Sequence, residues 1–368
     1  MNVWLINCLA VWLLSIVLSG FVIPQILLIA FRKKLFDVPD ERKIHKSLVP
    51  RLGGISFVPV IMFSLVLLLG IGILLDEGIA PAFSNAALSL SFGFCGLMLL
   101  FLVGIADDLI GIKYRAKFAA QIICGIMFIC GGVWLDDFHG LLGINELPEW
   151  IGWPLTVLVV IYIVNSINLI DGIDGLASGL SGIACLYFGV MFFLMESYVM
   201  SMLALATLGV LIPFFYFNVF GDARKRKKIF MGDTGALTIG MILCFLALQM
   251  ASVEKVSFSS ANPFILAFAP LIVPCFDVIR VYLHRVRNGK NPFLPDKNHI
   301  HHKLLAIGMP QRMAMVSILS VSLALTLLNI WLSIYININI LLIIDILIWV
   351  AINIWLSRRA AAHPAVDA

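Results

Sequence analysis

Eleven long apolar runs separated by short polar stretches limit this chain more than any other feature. A spanning helix needs about 20 mostly apolar residues, since each adds about 1.5 Å across a hydrocarbon core of roughly 30 Å. By that rule candidate spans fall near 4–30, 53–75, 86–106, 118–135, 151–169, 175–195, 198–219, 235–253, 262–283, 313–335 and 337–356. Composition agrees: 61% of residues are hydrophobic and 12% are charged, against about 25% charged in a typical soluble domain. The expected fold is an all-α polytopic membrane protein of about 11 transmembrane helices, one integral-membrane domain over 1–368, with the membrane lipid as its solvent. The first run reaches about Phe31 without a basic leader. It outruns the roughly 7–15 residues of a signal-peptide core and is expected to stay as the first span. Seven scattered cysteines, none in a C-x-x-C pair, read as apolar filler.

Basic residues set the expected orientation. The first loop holds Arg32, Lys33, Lys34, Arg42, Lys43, Lys46 and Arg51, and the third-to-fourth holds Lys113, Arg115 and Lys117. The run from Arg224 to Lys228 follows the seventh span, seven more cations lie between Arg280 and Arg312, and Arg358 and Arg359 follow the last span. With eleven spans, 24 of the 25 Lys and Arg fall on one side and only Lys255 falls opposite. The expectation is an N-terminus outside, in the periplasm, and a C-terminus in the cytoplasm. The opposite loops are short and acidic (Asp76, Glu77, Asp136, Asp137, Glu146, Glu149, Glu196, Glu254) and are assigned no chemistry.

Four polar clusters sit at cytoplasmic helix ends. Asp107-Asp108 closes the third span in GIADDLIGIKYRAK. Acids near hydrocarbon are unfavourable, and with Lys113, Arg115 and Lys117 behind them they suit a phosphate and metal site; a helix end that merely reaches water is the bland alternative. In NSINLIDGIDGL, Asn165, Asn168, Asp171 and Asp174 recur every third residue and form one drifting helical stripe. Their oxygens could hold a hard divalent cation, or they could form a polar packing seam. KKIFMGDTG places Asp233 between glycines just after the basic run, which is equally an anchor for anionic lipid. NPFLPDKNHIHHKLL offers His299, His301 and His302; zinc is one reading, but cations nearby and the lack of cysteine favour an anion. A nucleoside diphosphate with magnesium and a lipidic co-substrate suit such a face. No nucleic-acid partner is expected.

At these clusters the sequence resembles the polyprenyl-phosphate N-acetylhexosamine-1-phosphate transferase superfamily. It is most similar to the bacterial undecaprenyl-phosphate N-acetylglucosaminyl-1-phosphate transferases that begin O-antigen, enterobacterial common antigen and teichoic acid assembly. The motifs run from IHKSLVPRLGG at Ile44 through DD, NxxNxxDGxDG and FMGDTG to HIHH at His302, so the motif-bearing core is about 44–302. The resemblance implies transfer of a sugar 1-phosphate from a UDP-sugar to undecaprenyl phosphate in the bacterial inner membrane, with release of UMP. It implies Mg2+, with Mn2+ as a substitute, on Asn168 and Asp233. Asp107 and Asp108 match the acidic pair that readies the polyprenyl phosphate or supports the metal, with Lys117 near phosphate. Asp171 and Asp174 match acids lining the nucleotide pocket, next to Asn165, and Asn218 matches an amide that contacts uridine. His299, His301 and His302 match the part that meets diphosphate and sugar, and His45, Lys46 and Arg51 fall in the matching first loop. A homodimer is implied on the same grounds.

Two other readings share parts of the pattern. A phospho-N-acetylmuramoyl-pentapeptide transferase has the DD and DGxDG motifs, although the HIHH spelling departs from it. A proton-coupled secondary transporter would place acids near the midplane; only Asp277 and Asp345 lie inside spans. Asp277 is expected to pair with Arg280, and no partner for Asp345 is evident.

Overall fold

A computed structural model describes residues 3–36, 49–75, 79–253, 261–289 and 298–362. His45 and Lys46 lie outside the described residues, as do Asp76, Glu77, Glu254 and Lys255. The helices are α1 (Val3–Lys33), α2 (Phe57–Leu74), α3 (Ile79–Ile110), α4 (Tyr114–Cys130), α5 (Glu149–Ile170), α6 (Leu176–Leu194) and α7 (Tyr198–Val219). They continue as α8 (Gly232–Ala251), α9 (Pro263–Phe268), α10 (Ile272–Arg287), α11 (Ile300–Ala306), α12 (Gln311–Leu332) and α13 (Ile338–Ala362).

Ten helical segments among the described residues are long and apolar enough to cross a membrane, with α9 and α10 counted together over Pro263–Arg287. The sequence suggested about eleven. The difference is α4, whose 17 residues reach about 26 Å, short of a full core. The chain nonetheless reverses at both ends of α4. Gln121, midway along α4, exchanges hydrogen bonds with Asn165 in the last turns of α5. Beyond the far end of α4, the Leu135 N–H donates to Thr156 Oγ1 near the start of α5, 2.9 Å away.

Helix α8 is the axis of the bundle. Its most apolar window is 94% buried, where that of α13 is 28% buried, so α8 meets protein on every side while the outer helices face lipid. α3 and α5 flank it, α1 packs on α7, and α6 lies beside α7. Its small residues (GDTGALTIG over Gly232–Gly240) permit that close packing.

The ninth crossing is broken by its prolines. Pro270 has no N–H and cannot bond the carbonyl four residues back, so a 3-10 turn over Ala269–Leu271 joins α9 to α10. The carbonyl that Pro270 leaves free is that of Leu266, and the Tyr187 hydroxyl of α6 donates to it at 2.9 Å. Tyr162 of α5 donates to the Cys275 carbonyl at 2.5 Å, and Thr326 of α12 donates to that of Ala269 at 3.4 Å. Tyr187 thus replaces the bond that Pro270 removes, where water is absent, and Tyr162 and Thr326 add further hydroxyl contacts to carbonyls on either side of Leu271. Both intramembrane acids are partnered: Asp277 pairs with Arg280 at 2.8 Å as expected, and Asn329 Nδ2 donates to Asp345 at 2.9 Å.

Tyr187→Phe leaves the Leu266 carbonyl buried and unpaired. A loss of about 1–3 kcal/mol is expected, read as a lower unfolding temperature of the detergent-solubilised protein. An unchanged temperature would mean that the carbonyl finds another donor.

Candidate active site

The site forms where α3, α5 and the N-terminus of α8 meet. The first turn of any helix has unpaired N–H groups and a partial positive charge. Asp108 supplies the acceptors from another helix. Its Oδ1 takes the Asp233 N–H at 2.8 Å, and its Oδ2 takes the Thr234 N–H at 2.9 Å and the Thr234 hydroxyl at 2.5 Å. Gly232 turns the chain there with φ +73, and a Cβ would stand 2.1 Å from the Arg51 carbonyl oxygen and 2.6 Å from Asp108 Oδ2. The chain after the basic run also pairs with the stretch before α2. Phe230 N–H donates to Pro50 O (2.9 Å), Gly53 N–H to Phe230 O (3.0 Å) and Gly54 N–H to Met231 O (2.9 Å). That pairing carries Arg51 into the field of Asp171.

Around this joint the remaining charges alternate. Lys117 lies 2.8 Å from Asp107 and 3.5 Å from Asp233, and the Ile112 N–H donates to Asp107 at 2.6 Å. Asn168 Nδ2 donates to Asp233 Oδ1 at 2.8 Å. Asp174 holds Lys228 at 2.5 Å, both side chains 13% exposed. Asp171, just past α5, opens onto the cleft, but protein crowds its other sides. Loss of hydration first, then the Asp233 and Asp174 carboxylates, push its pKa up to about 7, against the pull of Arg51. Among the described residues the cleft therefore holds more negative charge than the cations paired with it balance.

That surplus, with an amide beside a carboxylate, tests the expected metal. Among the described residues no three His, Cys, Asp or Glu side chains come together to hold an ion. A cation here would take few ligands from side chains and the rest from water or phosphate, which is the habit of Mg2+. Asn168 and Asp233 fit it in type and proximity.

The histidines close the cleft from α11. Among the described residues no metal-holding group gathers around the histidines; His299 Nδ1 lies 2.7 Å from Asp277. His301 is 1% exposed, and both of its ring nitrogens are buried without a partner. Burial, with His302 and His299 beside it, holds its pKa down at about 3, so the ring is neutral at pH 7. It lies against Gly172, where a Cβ would stand 2.1 Å from His301 Nε2. The glycine of the DGxDG motif thus makes room for the histidine of HIHH.

Two predicted residues are engaged by structural partners. Asn218 is 5% exposed; its oxygen accepts the Gly175 N–H at 2.6 Å and its nitrogen donates to the Ile229 carbonyl at 2.8 Å. It braces the cleft wall, which leaves uridine little of its amide. Asn165 is occupied with Gln121 and the Ile161 carbonyl, so it joins α4 to α5. The residues missed from sequence are Thr234, Gln121 and Asp277 as a partner of histidine, and Lys228 singled out from its run. Only Thr234, inside GDT, carried a local signal.

Comparison with known proteins follows this geometry. The sequence profile of glycosyl transferase family 4 matches residues 90–251, the stretch from α3 to the end of α8. A Bacillus subtilis (strain 168) protein named probable undecaprenyl-phosphate N-acetylglucosaminyl 1-phosphate transferase is 31% identical over 342 residues, covering 90% of this chain and 88% of its own length. The undecaprenyl-phosphate alpha-N-acetylglucosaminyl 1-phosphate transferases of Yersinia pestis and Escherichia coli (strain K12) are 31% and 28% identical, each covering 79% of this chain and 74% of their own.

Two variants separate support from contact at this site. Asp108→Asn puts an N–H donor where acceptors are needed, so activity and unfolding temperature should fall together. Lys117→Ala, at a side chain 24% exposed, should lose activity with little change in stability. Gly172→Ala should displace His301 and abolish turnover in protein that still elutes as a folded species, and wild-type turnover would refute that contact. The shared sequence over nearly the whole length and the profile match across the site-forming helices lead to one statement: this chain belongs to glycosyl transferase family 4.

Proposed function

We propose that the chain transfers N-acetylglucosamine 1-phosphate, or a related N-acetylhexosamine 1-phosphate, from its UDP-sugar to undecaprenyl phosphate, releasing UMP. The observation that carries this reading is the cluster of acids, amides, lysines and histidines gathered at one end of a largely apolar bundle. A reaction between a charged soluble donor and a lipid acceptor needs such a place. The names of the relatives support the same donor group and acceptor. With the basic loops gathered at that end, the positive-inside rule supports a cytoplasmic site in the inner membrane, where UDP-sugars and the first step of envelope polysaccharide assembly belong.

In the reaction an oxygen of the polyprenyl phosphate bonds to the sugar-side phosphorus. That phosphorus loses its bond to the bridging oxygen, which leaves on UMP with the electron pair. The attacking phosphate is mostly dianionic at pH 7, its second pKa being near 6, so it needs positioning more than deprotonation. Asp107, already engaged by Lys117 and the Ile112 N–H, therefore acts by holding Lys117 toward phosphate oxygens. Lys228 and Arg51 add cations from the other walls, and His301 offers a neutral imidazole beside Gly172. Mg2+, or Mn2+ in its place, supplies charge neutralisation for the departing diphosphate when bound by Asn168 and Asp233.

The pentapeptide alternative is not favoured by the relatives, and the transporter alternative loses its intramembrane acids to internal partners. Purified protein given UDP-N-acetylglucosamine, undecaprenyl phosphate and Mg2+ should release UMP only when all three are present. Release of UDP would mean ordinary glycosyl transfer and overturn the proposal. Asp233→Ala and Asn168→Ala should each abolish UMP release, and full activity in either would sink the metal assignment.

A further inference from the structure

Behind the histidines lies an acid that the cleft chemistry does not use. Asp277 of α10 has no exposed surface, and an ion pair with Arg280 would by itself account for its charge. Its carboxylate does more. Oδ1 takes Arg280 Nη2 at 2.8 Å and the Ile300 N–H at 3.1 Å, while Oδ2 lies 2.7 Å from His299 Nδ1. Arg280 also donates to the Asn298 carbonyl. Every partner but Arg280 itself thus belongs to the turn that starts α11. A carboxylate can only accept here, so His299 Nδ1 must carry a proton, and in the neutral ring the lone pair is then on Nε2.

From His299 the contact line runs into the cleft. Its ring stacks on His301 at 7° with centroids 5.7 Å apart, and His301 lies 4.2 Å from His302. His301, with no hydrogen-bond partner of its own, stands against Gly172, one residue from Asp171. A buried imidazole without a partner needs neighbours to hold its orientation, and on this side the neighbour is His299.

We propose that Asp277 is a positioning residue: it fixes His299 as the Nδ1–H tautomer and clamps the start of α11, so that His301 is held against Gly172 at the wall of the cleft. The proposal rests on the transferase reading above for its catalytic consequence, but the tautomer stands independently of it. The hydrogen bond is charge-assisted and roughly twice as strong as a neutral one, and both of its side chains are buried. Asp277→Asn would put an amide in its place that can face the ring with either its oxygen or its N–H.

The test reads both levels. In protein labelled with 15N-histidine, with His299 assigned through His299→Gln, wild type should show a protonated Nδ1 and a bare Nε2 on His299. In Asp277→Asn that signature should be lost, and kcat/KM should fall about 10- to 100-fold, the range for removing a group that orients a histidine from behind. Arg280→Met, which breaks the ion pair but spares the Asp277–His299 bond, should keep the wild-type tautomer. A wild-type His299 protonated on Nε2 overturns the proposal by itself, even if Asp277→Asn does not fold. Activity lost in Asp277→Asn with the tautomer unchanged also overturns it, as simple damage to packing. Wild type that releases no UMP would refute the transferase reading and leave the tautomer result standing.

Discussion

The cleft depends on the grip of one carboxylate on one helix end. Asp108 accepts two N–H groups and a hydroxyl from the first turn of α8, where the partial positive charge of the helix favours an anion. Because α8 is enclosed on all sides, fixing its end fixes Asp233 relative to α3, and the Asn168 contact ties it to α5. Arg51 arrives through backbone pairing with the residues just before α8. Loosening Asp108 would shift three walls of the cleft together.

Charge pairing explains how the cleft can hold so many acids. Asp107 and Asp174 each have a lysine, and Asp108 has the helix end. Asp171 and Asp233 share what remains with Lys117 and Arg51. The surplus raises the cost of ionising Asp171, and a divalent cation arriving with a diphosphate would relieve it. The lysines are held by carboxylates but remain partly accessible, so they can turn toward phosphate without crossing hydrocarbon.

The broken ninth crossing connects this electrostatic site to the lipid-embedded frame. Pro270 removes a hydrogen bond that a membrane cannot replace, the Tyr187 hydroxyl takes its place, and Tyr162 and Thr326 add hydroxyl contacts from two further helices. A break so pinned is rigid. α10 leaves it carrying Asp277 and Arg280 to the cleft, and the histidines of α11 are referenced to the bundle through that carboxylate.

Apolar run length by itself determined that this chain is a helical membrane bundle, because the bilayer sets a minimum length and leaves the backbone few other options. The clustering of Asp107, Asp108, Asn168, Asp171, Asp174, Asp233 and the histidines at helix ends was also legible, since charged groups outside hydrocarbon are conspicuous among apolar runs. Division of labour among them was not. Asn165 and Asn168 sit three residues apart on one helical stripe, yet Asn165 meets Gln121 and Asn168 meets Asp233. Asn218 looks like a free amide at a helix end and proves to be a brace. Lys228 cannot be told from its neighbours in the run until Asp174 is found beside it, and neither Asn329 beside Asp345 nor Asp277 behind His299 leaves a local trace. Each of these is a contact between residues far apart in the chain, and only the packing of helices around α8 decides which distant side chains fall within hydrogen-bond reach.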